Sequence, residues 1–398
     1  MKSSILFIHQ SAELYGSDKT ILMFISNLDK QKYFPVVLLP FDGPLKTEFE
    51  KNNIKVVIAP VLKLYRKMLT PKNILKFCKE YKEGLKIINK LHKEHKFSIV
   101  YSHTLAALIG IIFASKNKIK HLWHVQEIIA KPTIFNKGFI KLLSLKSNHI
   151  AVYDSKTTME FWIKNNPTLA AKSIAVCNGL DVKEKPEPDS EGIQKIRKEF
   201  FNVQHDDIVI ALVGRINSWK GQQLLLEAFN KIANKYQNTK LVYIGSAPPN
   251  QEFFEIELKE KIASYNLSDR VIIIPFQENI WRFWDSIDIA VVPSTEPEPF
   301  GMVAIEAMLA KKPVVAANHG GLTETVLNNE TGFLFEPNNQ QKLADSISNL
   351  IEDKNIRIAF GEKGYERVHL YFSLEKHVNE FETIFEILLK DKKSKFFS

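Results

Sequence analysis

Residues 287–310 carry the pattern from which the architecture of this chain can be worked out, and they read Ile287-Asp-Ile-Ala-Val-Val-Pro-Ser-Thr-Glu-Pro-Glu298-Pro-Phe-Gly301-Met-Val-Ala-Ile-Glu306-Ala-Met-Leu-Ala310. A short β-branched apolar run, a proline-rich loop and a longer apolar stretch indicate a strand, a turn and a helix. This succession is the repeating unit of doubly wound parallel sheets, in which ligands bind where strands end and helices begin. We therefore predict an α/β domain with a binding site at this loop.

The same alternation extends over nearly the whole chain. Strand-like runs are found first at residues 4–9, 35–39, 55–58, 98–103, 121–125, 149–153 and 173–176, and then at 207–213, 240–244, 270–274, 287–292, 312–315 and 331–335. A polar, proline-bearing stretch at 181–190 separates the two series and indicates a linker. The pattern predicts two Rossmann-like doubly wound domains, 1–185 and 186–373, with the segment 374–398 packing back on the first.

Composition excludes several classes of protein. The chain has 398 residues, 45% of them hydrophobic, which is typical of a folded globular protein and not of a disordered one. Cys78 and Cys177 cannot form a disulfide framework, and we expect both to be buried in a reducing compartment. Only four apolar residues follow Ser4 before His9, too few for a signal peptide, so we expect a cytoplasmic protein.

The net charge of +9 is concentrated in residues 62–98. Three acidic residues there oppose a set of basic ones: Lys63, Arg66, Lys67, Lys72, Lys76, Lys79, Lys82, Lys86, Lys90, Lys93 and Lys96. Two interpretations stay open, a solvated helix face and a surface that docks on anionic lipid on the inner side of the cell membrane, with the lysine-rich end 390–398 contributing. No nucleic-acid-binding motif accompanies the charge, so a nucleic-acid partner is not expected.

A second loop, after the run 207–213, reads Gly214-Arg215-Ile-Asn-Ser-Trp-Lys220-Gly221. Arg215 offers a fork to two phosphate oxygens and Lys220 a mobile point charge, which suits an anionic ligand, although two surface cations remain the alternative. In the stretch 287–310, Gly301 allows a tight turn before a helix whose free N–H groups favour a diphosphate. Glu298 lies in the loop, and Glu306 lies where it can accept hydrogen bonds from a diol such as a ribose.

Together these residues resemble the retaining GT-B glycosyltransferases of family 4, whose signature is two glutamates separated by seven residues. Asn178-Gly-Leu-Asp181 and Asn318-His-Gly-Gly-Leu-Thr-Glu324 are also similar to hallmarks of that family. The resemblance is specific in the second half of the chain and looser in the first. It implies a GT-B fold, with an acceptor-binding first domain and a second domain that binds a nucleotide-diphosphate sugar.

The resemblance also implies roles for particular residues. The donor-binding set would be Gly16, Ser17, Gly214, Arg215, Lys220, Glu298, Phe300, Gly301, Met302, Val303 and Glu306. Arg215 and Lys220 would neutralise the diphosphate, and Glu298 would contact the donor sugar as nucleophile or as electrostatic support. Members of the family with these residues need no metal ion, and no Asp-x-Asp motif occurs here. No cofactor other than the donor substrate is expected.

Three residues of the first half are candidates for the substrate-facing side. His124 stands where the family places a histidine that touches the donor sugar, while His103 and Glu127 are candidates for the acceptor side. The loop 126–137 is unusually apolar and is either a lid or a packing element. A structural role for each histidine is the alternative.

The sequence therefore predicts a metal-independent, retaining glycosyltransferase that moves a sugar from a nucleotide-diphosphate donor to a hydroxyl acceptor. A lipid-linked or cell-surface glycan in polysaccharide or lipopolysaccharide biosynthesis is the expected acceptor. The alternatives are a GT-B nucleotide-sugar epimerase and a non-catalytic nucleotide-sugar-binding protein. A dinucleotide oxidoreductase fits poorly, because Ala247 and Asn250 stand where the second and third glycines of its Gly-x-Gly-x-x-Gly motif are required.

Overall fold

The computed structural model describes residues 2–63, 71–204 and 206–390 and divides the chain into two units. The first comprises Met1–Gly179 and Leu374–Ser398, and the second Leu180–Ser373. The division falls after Gly179 rather than after residue 185, because the Leu180 N–H donates to the carbonyl of Phe372 at 2.9 Å. That bond ties residue 180 to the end of the second unit.

Within its described residues, the first unit has seven parallel strands in the order β3-β2-β1-β4-β5-β6-β7. The strands are β1 (Ser3–Ile8), β2 (Tyr33–Leu39), β3 (Lys55–Ile58), β4 (Ile99–His103), β5 (Lys120–Val125), β6 (Asn148–Tyr153) and β7 (Ser173–Ala175). The helices between them are α1 (Gly16–Ser26), α2 (Pro44–Lys51), α3 (Pro71–His95), α4 (Ile109–Asn117), α5 (Thr133–Leu143) and α6 (Lys156–Asn165), followed by a 3-10 helix at Pro167–Lys172.

The part of the second unit that the structure describes has the same design, with six parallel strands in the order β10-β9-β8-β11-β12-β13. These are β8 (Ile208–Val213), β9 (Thr239–Ile244), β10 (Val271–Ile274), β11 (Ile289–Val292), β12 (Val314–Ala317) and β13 (Gly332–Phe335). The helices are α7 (Ser190–Glu199), α8 (Gln222–Ala233), α9 (Phe253–Ser264), α10 (Trp281–Ser286), α11 (Met302–Leu309), α12 (Leu322–Thr325), α13 (Gln340–Glu352) and α14 (Lys354–Tyr371).

A further helix, α15 (Leu374–Lys390), belongs to the first unit although it follows the second in sequence. Side chains of β1 alternate between the two faces of the sheet, as a strand covered on both sides requires. Phe7 points to the face that α15 covers, where the rings of Phe381 and Phe385 pack around Phe24 and Tyr101. The helix α15 therefore completes one of the two hydrophobic cores of the first unit.

Each sheet has one place where the strand order reverses. In the first unit this switch point lies between β1 and β4, and in the second between β8 and β11. Helices leave adjacent strands there on opposite faces, so the loops at the carboxyl ends part and leave room for a ligand. The two switch points are therefore the expected positions of ligand-binding sites.

Some expectations about local structure are wrong. Cys78 is exposed and Cys177 half-buried, whereas both were expected to be buried. Cys78 lies near the start of α3, where Ile74 and Leu75 are also exposed, because this end of the helix extends past the core. The apolar segment 126–137 is a loop only as far as Pro132, since α5 begins at Thr133. Within the described residues, no helix is both long and apolar enough to cross a membrane.

Candidate functional site

The carboxyl end of β8 places the first cation of the site. Gly214 directly follows the strand with φ of 151°, and Arg215 is exposed beyond it. The carbonyl of Arg215 accepts a hydrogen bond from the Gln222 amide at 2.8 Å. That bond links the loop to the first residue of α8 and fixes the backbone that carries the guanidinium.

The loop before α8 places the second cation. The Asn217 Oδ1 atom accepts hydrogen bonds from the backbone N–H groups of Trp219 and Lys220, at 3.1 and 2.9 Å. This side-chain turn aims Lys220 back over the Trp219 ring, with Nζ 4.4 Å from the ring centre. The ammonium group then reaches the loop after β11, where it pairs with Glu298 at 2.6 Å.

Glu298 is a buried carboxylate, with 7% of its side chain exposed. Its Oε1 atom accepts hydrogen bonds from the Lys220 ammonium at 2.6 Å and from the Ser294 hydroxyl at 2.5 Å. A buried carboxylate is costly unless it is paired and hydrogen-bonded, and these two contacts supply both conditions. The pair holds a negative and a positive group in fixed positions beside the switch point.

The backbone around Glu298 is held by a glycine pair in the loop after β12. Gly320 has φ of 60°, and a Cβ atom there would come within 2.3 Å of the Glu298 carbonyl oxygen. Gly321 donates its N–H to that same oxygen at 2.7 Å. Only glycine lets the backbone of the two loops approach so closely, and this contact fixes the position of the Glu298 loop.

The helix α11 begins immediately after this loop. Gly301 is its N-cap, with φ of 99° and no side-chain cap, so no side chain of the cap residue covers the first N–H groups. Met302 and Val303, in the first turn, are half-buried, and Phe300 is buried. An open N-terminus with its dipole favours an anion such as a diphosphate. Glu306 lies half-buried in the second turn, and its Oε2 atom accepts a bond from the Trp284 indole at 3.3 Å.

The other candidates lie in the first unit. Gly16 and Ser17 begin α1, and His103 and His124 are buried at the carboxyl ends of β4 and β5. Glu127 follows β5 and accepts bonds from the backbone N–H groups of Leu105 and Gln126, both at 3.0 Å. Burial raises the pKa of Glu127 to about 7, although these backbone bonds act in the opposite direction. The Glu127 carboxyl group thus joins the loops after β4 and β5 by hydrogen bonds.

The structure also brings in polar residues that the sequence reasoning left without a role. His319 donates from Nε2 to the carbonyl of Ser294 at 2.8 Å, and Ser294 itself contacts Glu298. In the first unit, His9 and Asp18 are buried and joined at 2.7 Å. His9 ends a predicted strand, 4–9, just as His103 ends the predicted strand 98–103, so its position could have marked it as a candidate as well.

The predicted site residues therefore fall into two groups. Gly214, Arg215, Lys220, Glu298, Phe300, Gly301, Met302, Val303 and Glu306 lie in the second unit at the ends of β8 and β11; Gly16, Ser17, His103, His124 and Glu127 lie in the first. In the part of the chain that the structure describes, no cluster of three or more His, Cys, Asp or Glu side chains could hold a metal ion. The roles of the predicted site residues toward substrates stay predictions.

Known proteins resemble this chain in two ways: one family matches part of the second unit, and individual relatives match about half or most of the chain. Residues 194–367, less than half of the chain, match the family described as Glycosyl transferases group 1. A capsular polysaccharide biosynthesis glycosyltransferase, CapM of Staphylococcus aureus, is 28% identical over 391 residues, covering 92% of this chain and all of that protein. A lipopolysaccharide 1,2-N-acetylglucosaminetransferase of Salmonella typhimurium is 32% identical over 190 residues, 46% of this chain and half of that protein.

Solved structures share the whole fold. Anabaena HepE, crystallised with UDP and glucose, aligns with a TM-score of 0.83 at 22% identity, covering 96% of this chain and 99% of that one. A glycosyltransferase of Rickettsia africae aligns with the same TM-score at 24% identity, covering 98% and 100%. The prediction of two doubly wound, Rossmann-like domains of the GT-B class is confirmed. Residues 194–367 are thus similar to a glycosyl transferases group 1 domain, and CapM, which matches over nearly the whole chain, is named as a glycosyltransferase.

Proposed function

We propose that this protein is a retaining, metal-independent glycosyltransferase of family 4 that uses a nucleotide-diphosphate sugar. The observation that carries the proposal is the Lys220–Glu298 pair at the switch point of the second unit, set between the exposed Arg215 and the open N-terminus of α11. Two cations and a helix dipole suit a diphosphate, and a fixed carboxylate beside them suits the hydroxyl groups of a sugar.

The proposed division of labour follows from the chemistry of the donor. In the reaction the bond from the anomeric carbon to the diphosphate oxygen breaks, and its electrons leave with the diphosphate. The acceptor oxygen forms the new bond on the same face, and its proton passes to a base. Because the leaving group gains negative charge, its neutralisation by Arg215, Lys220 and α11 is the largest contribution to catalysis. Glu306 holds the ribose hydroxyl groups.

The nature of the acceptor is proposed from the relatives. CapM is named for capsular polysaccharide biosynthesis, and other relatives for lipopolysaccharide synthesis. We infer that the acceptor is a hydroxyl group of a cell-surface or lipid-linked glycan. An epimerase or a non-catalytic binding protein is not favoured, since these relatives are named as transferases.

A nucleotide panel tests the donor site. We expect one of UDP, GDP, ADP or dTDP to raise the melting temperature of the wild type by several degrees, since ligand at 100 times its Kd adds about 2.7 kcal/mol. Glu306→Ala should abolish the shift, because the ribose diol loses its hydrogen-bond acceptor. Glu330→Ala, which removes an exposed carboxylate of the same unit, is the control. An equal shift in Glu306→Ala and wild type would contradict the ribose assignment.

We also propose peripheral docking on an anionic membrane through α3. Its exposed lysines, Lys76, Lys79, Lys82, Lys86, Lys90 and Lys93, lie on one side of the helix, opposite the buried Leu85, Ile88 and Leu91. Leu75, exposed near the start of the helix, lies on the same side as these lysines. A cluster of exposed lysines is attracted to an anionic lipid surface, by about 1 kcal/mol for each lysine near it. Arg66, Lys67 and residues 391–398, part of the predicted basic surface, lie outside the described residues.

Vesicle sedimentation tests the docking. We expect the protein to sediment with anionic phosphatidylglycerol vesicles at low salt and to be released as salt rises, because screening weakens the attraction. It should not sediment with phosphatidylcholine vesicles, which carry no net charge. Exchanging Lys79, Lys82 and Lys86 for glutamate should abolish binding. The same exchange at Lys231, Lys240 and Lys259 in the second unit controls for net charge. Equal loss in both triple variants would count against a specific docking face.

A further inference from the structure

Four buried histidines of the first unit lie where α15 packs against the sheet. His9 directly follows β1, His103 ends β4 and His124 lies in β5, whereas His377 lies near the start of α15. Each of the four is at most 2% exposed. Their ring centres are 4.8, 5.2 and 6.3 Å apart in the order His9, His103, His124 and His377. This histidine row therefore runs from the sheet into the helix that covers it.

His377 joins the start of α15 to the segment after β7. Its Nδ1 atom donates a hydrogen bond to the carbonyl of Cys177 at 2.7 Å, since a carbonyl oxygen only accepts. The Nε2 atom of the neutral ring then carries a lone pair. That atom is shielded from water and has no hydrogen-bond partner within the described residues. Protonation of His377 would therefore bury a charge and an N–H group that has no acceptor, which is costly.

The opposite end of the histidine row is bonded to a carboxylate. His9 Nε2 donates to Asp18 Oδ1 at 2.7 Å, so His9 Nδ1, 2.9 Å from His103 Nδ1, accepts a bond from the neutral His103 ring. The Nε2 atom of His103 keeps a lone pair, and it too is shielded from water without a partner in the described part of the chain. Asp18 can balance one positive charge, on His9. A second charge in the row would pair with no further carboxylate among the described residues.

Among the described residues, the groups packed around His377 are uncharged at neutral pH. They are the imidazoles of His124 in β5 and His103 in β4, the rings of Phe24 in α1 and Phe381 in α15, and the backbone carbonyl of Cys177. The charged neighbours of His377 on α15 are at the surface: Glu375 is exposed, and the exposed Lys376 pairs with Glu380 at 2.9 Å. A protonated His377 would thus lie beside two further imidazoles and no carboxylate.

The docked rings bind protons more weakly than histidines in water do. Burial lowers the pKa of His377 to about 4, although its hydrogen bond to Cys177 acts in the opposite direction. Burial, and after it the neighbouring imidazoles, hold the pKa values of His103 and His124 well below their usual range. A histidine in water has a pKa near 6.5, so each ring takes up a proton when it is exposed at acidic pH. The docked state is therefore fully favoured above about pH 6.5 and loses stability as the pH falls towards 4.

We propose that the histidine row makes the docking of α15 dependent on pH, and that acid releases this helix from the rest of the first unit. The helix carries His377 and places the Phe381 ring 5.1 Å from the His124 ring, so its departure brings these two imidazoles into contact with water. Since α15 contributes no strand to the sheet, no strand pair breaks when it leaves. Protonation of the exposed rings then opposes redocking. The inference does not depend on the proposed glycosyl transfer.

Hydrogen exchange in the full chain tests the release of α15 without any substrate. Mass spectrometry between pH 5 and pH 8, corrected for the intrinsic pH dependence of amide exchange, measures the protection of each helix. A ring whose pKa is about 4 when docked and about 6.5 in water favours the open state about 20-fold more at pH 5 than at pH 7. We expect α15 to lose at least this much protection over the interval. The helix α4, which packs on the other face of the same sheet, should keep its protection.

His377→Asn removes the titrating ring and keeps a hydrogen-bond donor. Its amide NH₂ can donate to the Cys177 carbonyl in place of Nδ1–H, and it takes up no proton at pH 5. We expect α15 of this variant to lose about 20-fold less protection between pH 7 and pH 5 than α15 of the wild type. His369→Asn is the control, because His369 is exposed on α14 and its Nδ1 atom also lies beside a backbone carbonyl, that of Tyr365. This control should follow the wild type.

The wild-type measurement decides the inference even if His377→Asn does not fold. Protection of α15 that is the same at pH 5 and pH 7 would overturn the inference. Equal losses in α15 and α4 would overturn it as well, because the first unit would then open as a whole. In the folded variant, a loss of α15 protection equal to that of the wild type would show that His377 does not link docking to pH, which also contradicts the inference.

Discussion

Lys220→Ala is expected to lower turnover of the nucleotide sugar by about 10²–10³-fold, the usual loss when one preorganised charge-stabilising group is removed. The ammonium group is positioned by Asn217 and by the Trp219 ring before any ligand arrives, so little reorganisation is needed when charge develops on the diphosphate. Steady-state kinetics with saturating donor measures the loss. Unchanged turnover would overturn the role assigned to Lys220.

The same substitution is expected to destabilise the second unit. Removing Lys220 leaves Glu298 buried with the Ser294 hydroxyl but without its cation, at a cost of about 3 kcal/mol. A double variant, Lys220→Met with Glu298→Gln, removes both charges and should recover most of the stability while staying inactive. Thermal unfolding beside kinetics therefore separates misfolding from lost chemistry.

Arg215→Ala provides the matched comparison. Arg215 is exposed, so its loss should lower turnover by orders of magnitude with little change in melting temperature. Lys259→Ala, which breaks an exposed pair with Glu255 in the same unit, should change neither quantity. The contrast between Lys220 and Arg215 distinguishes a half-buried cation paired with a buried carboxylate from an exposed cation.

Glu298→Gln is expected to lower turnover by at least about 10²-fold while nucleoside diphosphate binding is kept or strengthened. The amide keeps the shape of the side chain but gives up the charge that occupies the Lys220 ammonium at 2.6 Å. Lys220 is then free to pair with the diphosphate. Lower turnover together with unweakened diphosphate binding separates the loss of the carboxylate from the loss of the donor site.

Isothermal titration with the nucleoside diphosphate, beside turnover of the sugar donor, checks the Glu298 prediction. Glu296→Gln, two residues earlier in the same loop and exposed, is the control. Weaker diphosphate binding in Glu298→Gln would mean that the carboxylate serves to hold Lys220 in place. Full turnover would mean that it does not contact the donor sugar.

The sheets could be predicted from the sequence because their strands are apolar on both faces. Runs such as 208–213 and 289–292 are buried almost throughout, so they appear as continuous β-branched segments. The exposed Cys78 and the early start of α5 could not be predicted, because they depend on how far each helix extends past the core. The unit boundary depends on a bond between residues 180 and 372, which local pattern does not reveal.

The candidate site could likewise be predicted only in part. The loops that carry Arg215, Lys220 and Glu298 could be placed at strand ends from spacing alone. That the half-buried Lys220 pairs with the buried Glu298 could not be predicted, since the two residues are 78 apart and meet only because β8 and β11 are neighbours. The hydrogen bonds of His9 to Asp18 and to His103 could not be predicted for the same reason, because they join the residue after β1 to α1 and to the end of β4.

The discontinuity of the first unit affects how the protein is made. On the ribosome, Phe7, Phe24 and Tyr101 emerge long before Phe381 and Phe385, the aromatic rings that cover them. The whole of Leu180–Ser373 is synthesised in the interval, so the second unit can complete its core while one face of the first remains open. The first unit begins first but cannot complete this core until the second has been synthesised, and an aromatic surface that stays open for that interval is prone to aggregation.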